Sequence, residues 1–140
     1  MKKLIMAAFL LLLSWKVFAQ DSTNYWIPVI EAIIKVESGG NPKAVSRTGA
    51  YVGILQISKG LVDDINSYLR HKGETTRYAY SDRLNPDKSK EMFILYQEKY
   101  NKHKSVEKAI RIWNGGPKHT IKGTQAYLKR VLRHLEPGEG

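Results

Sequence analysis

Apolar side chains recur with the period of an α-helix near the start of the chain and again in four later stretches. From Trp26 onward they occupy positions i, i+3, i+4 and i+7, as in a helix that buries one face, and Glu37 falls on that face. Gly39 and Gly40 end this helix, because glycine adopts the positive φ that commonly follows a last helical turn. The pattern therefore predicts a helix, capped at Asn24, that carries a carboxylate at the edge of the core.

The four later stretches predict the remaining helices. Their predicted bounds are Gly60 to Arg70, Asn85 to about Asn101, Ser105 to Asn114, and about Thr124 to Leu135. Asn85 and Ser105 are expected to cap their helices, since their side-chain oxygens accept hydrogen bonds from free backbone N–H groups. Residues 72–83 show almost no apolar periodicity and predict a long loop.

A short strand pair is predicted between the first two helices. The segment TGAYVGILQI, residues 48–57, alternates small and apolar residues, which is typical of two short strands folded around Gly49 and Gly53. Placed next to the end of the first helix, this hairpin-like segment would lie beside a cleft. We therefore expect a single small domain that is mainly α-helical.

Residues 1–19 have the pattern of an export signal, with two lysines, an apolar run from Leu4 to Trp15, and small residues before Gln20. The mature domain is then expected to comprise residues 20–140, in the periplasm or outside the cell. The apolar run is shorter than the about 20 residues of a membrane-spanning helix, and no later stretch approaches that length. We therefore expect no stable membrane insertion after signal cleavage.

The charge of the chain favours an anionic partner. The formal net charge is +10, and three of the lysines lie in the predicted signal segment, which leaves +7 for residues 20–140. Cell-wall polymer, acidic lipid headgroups, stem-peptide carboxylates and nucleic acid all fit such a surplus, as does a simple solvated surface. We expect no nucleic-acid partner, because no groove-entering motif is present. The absence of cysteine excludes disulfides and a lipid-modified cysteine.

Glu37 is the candidate catalytic residue. A carboxyl held against apolar side chains loses solvation of its charged form, which raises its pKa and keeps a proton available near neutral pH. A general acid needs this property. The alternative is a glutamate at a frayed helix end that simply reaches water.

The residues after Glu37 resemble a known signature. In order, they are Ser38, Gly39, Gly40, Asn41, Pro42, Ser46, Gly49, Ala50, Gly53, Leu55, Gln56 and Ile57, and they match the soluble lytic transglycosylases, the bacterial relatives of goose-type lysozyme. Two later segments are similar to the same family: AIRIWNGGP resembles its aromatic-Asn-x-Gly-Pro segment, and TQAYLKRV its Thr-x-x-Tyr-x-x-x-Val helix. The resemblance covers most of the mature chain and implies a lysozyme-like α+β fold.

The resemblance also implies a peptidoglycan lytic transglycosylase. The substrate would be the β-1,4-linked strand of N-acetylmuramic acid and N-acetylglucosamine, and Glu37 would protonate the glycosidic oxygen between these sugars. Glu37 would then take the proton of the C6 hydroxyl, whose oxygen attacks C1 of the same ring and leaves a 1,6-anhydromuramic end. The matched motifs contain no clear second carboxylate, which suits this mechanism. No cofactor is expected.

By motif position, six further residues would bind the substrate. They are Ser46, Leu55, Gln56, Trp113, Asn114 and Tyr127. Ser46 would bond the acetamido group or a carbonyl, and Leu55 would pack under the bound ring. Gln56 and Asn114 would hydrogen-bond the sugars, although capping of nearby turns is the alternative for both.

Two positions depart from the family pattern. The chain has five residues, GAYVG, where the family has four, so Gln56 stands one residue further from Glu37, and a one-residue bulge would absorb the difference. Trp113 stands where the family commonly has a tyrosine whose hydroxyl approaches the acid. Its indole would instead pack over Glu37 and raise the pKa of that carboxyl. In the 72–83 loop, Tyr78 and Tyr80 are candidates for a sugar-binding wall, or else partly packed surface residues.

Two other functions fit parts of the sequence. A lysozyme-like hydrolase of the same fold would need a second carboxylate, and the local candidates are Asp63, Asp64 and Asp82. A non-catalytic wall-binding or secretion-apparatus protein would keep the fold without cleavage, and a partner in an envelope machine is left undefined. A metal site is not expected, since the four histidines lack metal-ligand spacing; they are His71, His103, His119 and His134.

Overall fold

Five α-helices and a two-stranded antiparallel sheet make up residues 25–135, the part of the chain that the structure, a computed structural model, describes. The helices are α1 (residues 25–37), α2 (Lys59–His71), α3 (Pro86–Tyr100), α4 (Val106–Gly115) and α5 (Ile121–Leu132), with a 3₁₀ helix at Tyr80–Leu84. The strands are β1 (Tyr51–Val52) and β2 (Ile57–Ser58). This architecture confirms the predicted mainly α fold of the lysozyme-like α+β class. The predicted export signal, the Asn24 cap and residues 136–140 lie outside the described residues.

Side-chain caps fix the starts of α3 and α4 as predicted. The Asn85 side chain accepts a hydrogen bond from the backbone N–H of Lys88 at 3.1 Å, and Pro86 occupies the first helical position, where no N–H is needed. Ser105 accepts in the same way from the backbone N–H of Lys108 at 3.2 Å. Local sequence therefore determines both helix starts.

Helix α5 begins three residues earlier than predicted. Its cap is Thr120, whose hydroxyl accepts from the backbone N–H of Gly123 at 3.0 Å. A Cβ at position 123 would lie 2.8 Å from that hydroxyl oxygen, so the glycine makes room for the cap. In the sequence the same glycine weakens the helical pattern, and this is why the prediction began at Thr124.

The predicted strand pair is present, with Gly53 in its turn. The paired residues are Tyr51 with Ser58, Val52 with Ile57 and, in an isolated bridge, Val45 with Val52. Gly53 has a φ of +82°, and a Cβ there would lie 1.9 Å from the carbonyl oxygen of Arg83. The expected one-residue bulge is absent from this ladder. The turn instead ends with Gln56 in the left-handed region, at a φ of +50°.

The loop between α2 and α3 is anchored to the hairpin by a buried arginine. Arg83 is only 8% exposed, and its guanidinium donates to the carbonyl of Tyr80 at 2.8 Å and to the carbonyl of Ile57 in β2 at 3.1 Å. The hydroxyl of Ser89 donates to the carbonyl of Arg83 at 3.0 Å. These hydrogen bonds hold the loop against the sheet, and the 3₁₀ helix forms within it.

The two loop tyrosines face protein carboxylates. Tyr78 is 8% exposed and donates its hydroxyl to Glu91 at 2.8 Å, so the hypothesis that it forms a sugar-binding wall is wrong. Tyr80 keeps 43% of its surface exposed, but its hydroxyl donates to Asp63 at 2.9 Å. Both side chains thus help to fix the loop.

An aromatic contact chain crosses the core and links α1 to α4. Trp26 packs edge-to-face on Phe93 with ring centroids 5.9 Å apart, and Phe93 packs on Trp113 at 4.9 Å. Phe93 is fully buried, as are Ile33 of α1 and Ile110 of α4. This packing places the C-terminal ends of α1 and α4, where the candidate residues lie, over one common core.

Arg111 of α4 fixes the position of α5. It is 5% exposed, and its guanidinium donates to the carboxylate of Glu107 at 2.8 Å and to the carbonyl of Ile121 at 3.0 Å. Further hydrogen bonds reach the Thr124 hydroxyl at 2.9 Å and the Gln125 side-chain oxygen at 2.8 Å. A buried charge with all of these partners stabilises one orientation of the two helices.

Candidate active site

Glu37 is the last residue of α1, and the residue after it holds the helix end in place. The Ser38 hydroxyl donates to the carbonyl of Ile54 in the hairpin turn at 2.8 Å and accepts from the backbone N–H of Gly40 at 3.1 Å. Gly39 and Gly40 have φ values of +61° and +89°, as expected for the residues that end the helix. The end of α1 is therefore tied to the β1–β2 turn.

The carboxyl of Glu37 is half-buried and accepts a hydrogen bond from Tyr127. The distance from the Tyr127 hydroxyl to Oε1 is 2.5 Å, although the two residues are 90 positions apart in the sequence. Tyr127 lies in α5 and is only 4% exposed. Burial and the nearby carboxylate raise its pKa far above the usual value, so the phenol remains a donor throughout the physiological range.

Burial raises the pKa of the Glu37 carboxyl above its ordinary value. Two weaker effects oppose this shift: the hydrogen bond from Tyr127 and the positive charge of Arg130, both of which stabilise the ionised form. The guanidinium of Arg130 lies 5.6 Å from the centre of the Tyr127 ring. The direction of the shift is the one expected from the sequence, and it favours a carboxyl that can give up a proton and take it back.

A groove of about 370 Å³ lies between the hairpin and α4. Its lining includes Tyr51, Gln56, Asp64, Tyr96, Trp113 and Asn114, three of which were predicted as substrate-binding residues. Glu37 is not part of this lining. The hairpin turn links Glu37 to the groove. The carbonyl of Ile54 in this turn accepts the hydroxyl of Ser38, the residue after Glu37, and Gln56 lines the groove.

Gln56 both lines the groove and caps the hairpin turn. Its side-chain amide donates to the carbonyls of Ala44 at 3.2 Å and Gly53 at 2.9 Å. The side-chain nitrogen of Gln56 therefore caps the turn, which was the alternative to sugar binding. Asn114, by contrast, is exposed near the end of α4 and lines the groove.

The structure corrects the expected contact of Leu55. Its side chain is 0% exposed and belongs to the core, so it presents no surface on which a sugar ring could pack. Its carbonyl accepts the indole N–H of Trp113 at 3.2 Å, and the Trp113 ring packs against Phe93 and Tyr96. The resemblance implied a hydroxyl near Glu37 at position 113, and the hydroxyl that contacts Glu37 belongs to Tyr127.

Ser46 shapes the turn that precedes β1. Its hydroxyl accepts from the backbone N–H of Tyr51 at 3.1 Å and lies 3.4 Å from the hydroxyl of Thr48. The side chain is half-buried and is not part of the groove lining. Ser46 therefore forms contacts within the turn, and its contact with the substrate stays a prediction.

No sequence pattern singled out Arg130, and Asp64 was expected only as one of three candidates for a second carboxylate. Asp64 lines the groove, but its two oxygens accept hydrogen bonds from Lys99 at 2.7 Å and from the Tyr100 hydroxyl at 2.8 Å. The other two candidates for a second carboxylate, Asp63 and Asp82, are not in the lining of this groove. Across residues 25–135, no three His, Asp or Glu side chains are grouped in a way that would hold a metal ion.

Comparison with known proteins identifies the family. The family model of the transglycosylase SLT domain matches residues 16–131. The chain belongs to this family. No solved structure matches the chain at a significant level.

Three curated relatives carry the name endo-type membrane-bound lytic murein transglycosylase A. The protein of Citrobacter koseri is 33% identical over 87 residues, which cover 60% of this chain and 41% of the relative. The proteins of two Klebsiella pneumoniae strains are 30% identical over 113 residues, which cover 80% of this chain and 47% of each relative. The chain thus spans less than half the length of these relatives.

The contact between Tyr127 and Glu37 predicts the pH dependence of activity. Tyr127→Phe removes a hydrogen bond that stabilises the ionised carboxyl, so the pKa of Glu37 should rise further. If Glu37 acts as an acid, the alkaline limb of the pH–activity profile should move to higher pH. The matched control is Tyr68→Phe, which removes a hydroxyl bonded to the exposed Glu98 and should leave the limb in place. An unmoved limb in Tyr127→Phe would contradict the assignment.

Proposed function

We propose that this protein is a peptidoglycan lytic transglycosylase in which Glu37 is the single general acid and base. The observation that carries the proposal is a half-buried carboxyl with a raised pKa, held by a buried tyrosine hydroxyl at 2.5 Å, in a chain of the SLT family. The groove between the hairpin and α4 supplies aromatic side chains, which suit sugar rings, and the amides of Gln56 and Asn114, which suit their substituents.

The proposed reaction needs no bound water and no second catalytic carboxylate. Glu37 donates its proton to the glycosidic oxygen as the bond from C1 of N-acetylmuramic acid breaks, and the 2-acetamido group of that sugar stabilises the cationic centre. The ionised Glu37 then accepts the C6 hydroxyl proton while the C6 oxygen forms the new bond to C1. The carboxyl ends protonated, and the product is a 1,6-anhydromuramic end.

Tyr127 is suited to support both half-reactions. Its hydroxyl fixes one oxygen of Glu37, which leaves the other carboxyl oxygen to exchange the proton. Because the phenol keeps its own proton, the hydrogen bond stabilises the carboxylate formed after the first step. Arg130 favours the same charged state, so neither residue needs to move during the cycle.

The competing function is hydrolysis with Asp64 as a second carboxylate. Asp64 lies in the groove, which favours this alternative, but both of its oxygens are already bonded to Lys99 and Tyr100. These two bonds give the Asp64 carboxylate a structural contact with α3. The transglycosylase reaction uses only Glu37 and therefore fits the site better.

The two reactions give products of different mass. We expect purified protein to release muropeptides with anhydro ends, each one water lighter than the reducing ends that a hydrolase leaves. Asp64→Asn should retain most of this activity, because Asp64 has no chemical role in the proposed reaction. Reducing ends as the main product in mass spectra, or loss of all cleavage in Asp64→Asn with an unchanged fold, would favour the hydrolase instead.

Action on peptidoglycan places the proposed site of function in the cell envelope. The segment 1–19 supports export, with the mature protein in the periplasm or outside the cell. Within residues 25–135, none of the helices has both the length and the apolar character required to cross a bilayer.

A further inference from the structure

We propose that the exposed side of α5, the helix that carries Tyr127, binds carboxylates of the peptides attached to peptidoglycan. The polymer itself rests on the proposed function, whereas the surface rests on the position of three charged side chains. These are Lys122, Lys129 and Arg133, which we call the α5 cationic face.

The three side chains lie on one side of the helix. Positions 122, 129 and 133 are seven and four residues apart, a spacing that places side chains on one face of an α-helix. All three are exposed, and so is Ala126 between them. The opposite side of α5, with Tyr127, Leu128 and Val131, is buried. The cationic face is therefore a continuous stripe directed away from the core.

Helices α4 and α5 contain only one acidic side chain, that of Glu107. The sequence contains no Asp or Glu from residue 108 to residue 135. Glu107, just before that stretch, is bound by the buried Arg111. None of the ion pairs among the described residues includes a member of the α5 cationic face. Within the part of the chain that the structure describes, its positive charge is thus available to an external anion.

Helix stability does not account for these charges. Lys122 lies in the first turn of α5, where the helix dipole disfavours a cation, and no acidic residue compensates there. Lys129 and Arg133 are four residues apart, so their like charges repel each other. Only their closeness to the helix C-terminus is favourable. A partner that carries negative charge explains the full set.

The face lies on the same helix as Tyr127, but on the opposite side of it. Lys122 and Arg133 are about 8 and 9 Å from Tyr127 along the helix axis, given the rise of 1.5 Å per residue, and a helix with its side chains is about 10–12 Å across. Tyr127 in turn binds Glu37. The sugar that forms the anhydro end is the one that carries the peptide, and an extended peptide covers about 3.3 Å per residue. The distance from Tyr127 to the face, along and across the helix, is about 14 Å, which four or five extended residues span.

Binding is tested separately from cleavage. All proteins carry Glu37→Gln so that the polymer stays intact, and their binding to purified sacculi and to peptide-free glycan strands is measured by co-sedimentation. The variant Lys122→Gln/Lys129→Gln/Arg133→Gln should bind sacculi about tenfold more weakly at low ionic strength, as expected for three exposed charge contacts. Its binding to peptide-free strands should be unchanged.

A matched variant controls for net charge. Lys35→Gln/Lys102→Gln/Lys108→Gln removes three exposed lysines outside α5 and should bind sacculi as its parent does. Equal losses in both variants, an equal loss on peptide-free strands, or no binding of sacculi by the parent would overturn the proposal. Binding to phosphatidylglycerol vesicles is measured in the same way. If the α5 variant lost binding only to these vesicles, the proposal would also be overturned, since the anion would then be a lipid. The proposed function is tested separately, by whether the unsubstituted protein releases anhydro products.

Discussion

Replacement of Glu37 by Gln should reduce the rate of glycan cleavage by about 10²–10⁴-fold, the usual contribution of a positioned general acid or base. The glutamine side chain has nearly the same shape and can still accept the Tyr127 hydrogen bond through its amide oxygen. It has no proton to give to the glycosidic oxygen and cannot take one from the C6 hydroxyl. The rate is measured as soluble muropeptides released from sacculi.

The same variant separates the enzyme from a wall-binding protein. Binding to sacculi should survive in Glu37→Gln, whereas a non-catalytic protein would show no cleavage before or after the change.

Stability provides the control for folding. Because the pKa of Glu37 is raised in the folded state, ionisation of its carboxyl lowers the free energy of unfolding at pH values above that pKa. Below the pKa of the unfolded state, the carboxyl is protonated in both states and this loss of stability is absent. The variant should therefore be at least as stable as the wild type at pH 7. Full activity in a folded variant would contradict the role of Glu37.

Gly53→Ala should destabilise the protein by about 3 kcal/mol or more. The added Cβ would lie 1.9 Å from the carbonyl oxygen of Arg83, and the backbone φ of +82° is already unfavourable for alanine. To remove this steric overlap, the hairpin turn must move away from the loop that Arg83 anchors. Urea denaturation measures the loss of unfolding free energy.

Gly49→Ala is the matched control for Gly53→Ala. Its φ of +73° is similar, but a Cβ there meets no atom within 4 Å. Only backbone strain of about 1 kcal/mol is then expected. Equal destabilisation by the two substitutions would show that the close contact with the Arg83 carbonyl contributes nothing.

Local signals were enough to predict most of the helices. Asn85 and Ser105 cap α3 and α4 with bonds that span only three residues, so the sequence carries the whole signal. The strand pair around Gly53 is likewise a local feature. The start of α5 was misplaced, because Gly123 lowers helix propensity in the sequence but makes room for the Thr120 cap in the fold.

Long-range contacts explain what the sequence could not predict. Tyr127 and Glu37 are separated by most of the domain, and spacing alone identified Tyr127 only as a residue of a matched motif. The family pattern placed Trp113 near Glu37, but it did not show that the indole N–H donates to the carbonyl of Leu55. Leu55 and Tyr78 were mistaken for surface residues, because apolar periodicity does not show which residues lie beneath a groove.

Burial is expected to raise the pKa of the Glu37 carboxyl and so to favour its protonated form before a glycan is bound. NMR titration of the side-chain carboxyl carbons, with Glu37 assigned from the Glu37→Gln spectrum, tests it most directly. We predict a pKa for Glu37 above the ordinary value of 4.5, and a further rise in Tyr127→Phe. A value at or below 4.5 in the folded wild-type protein would contradict the claim.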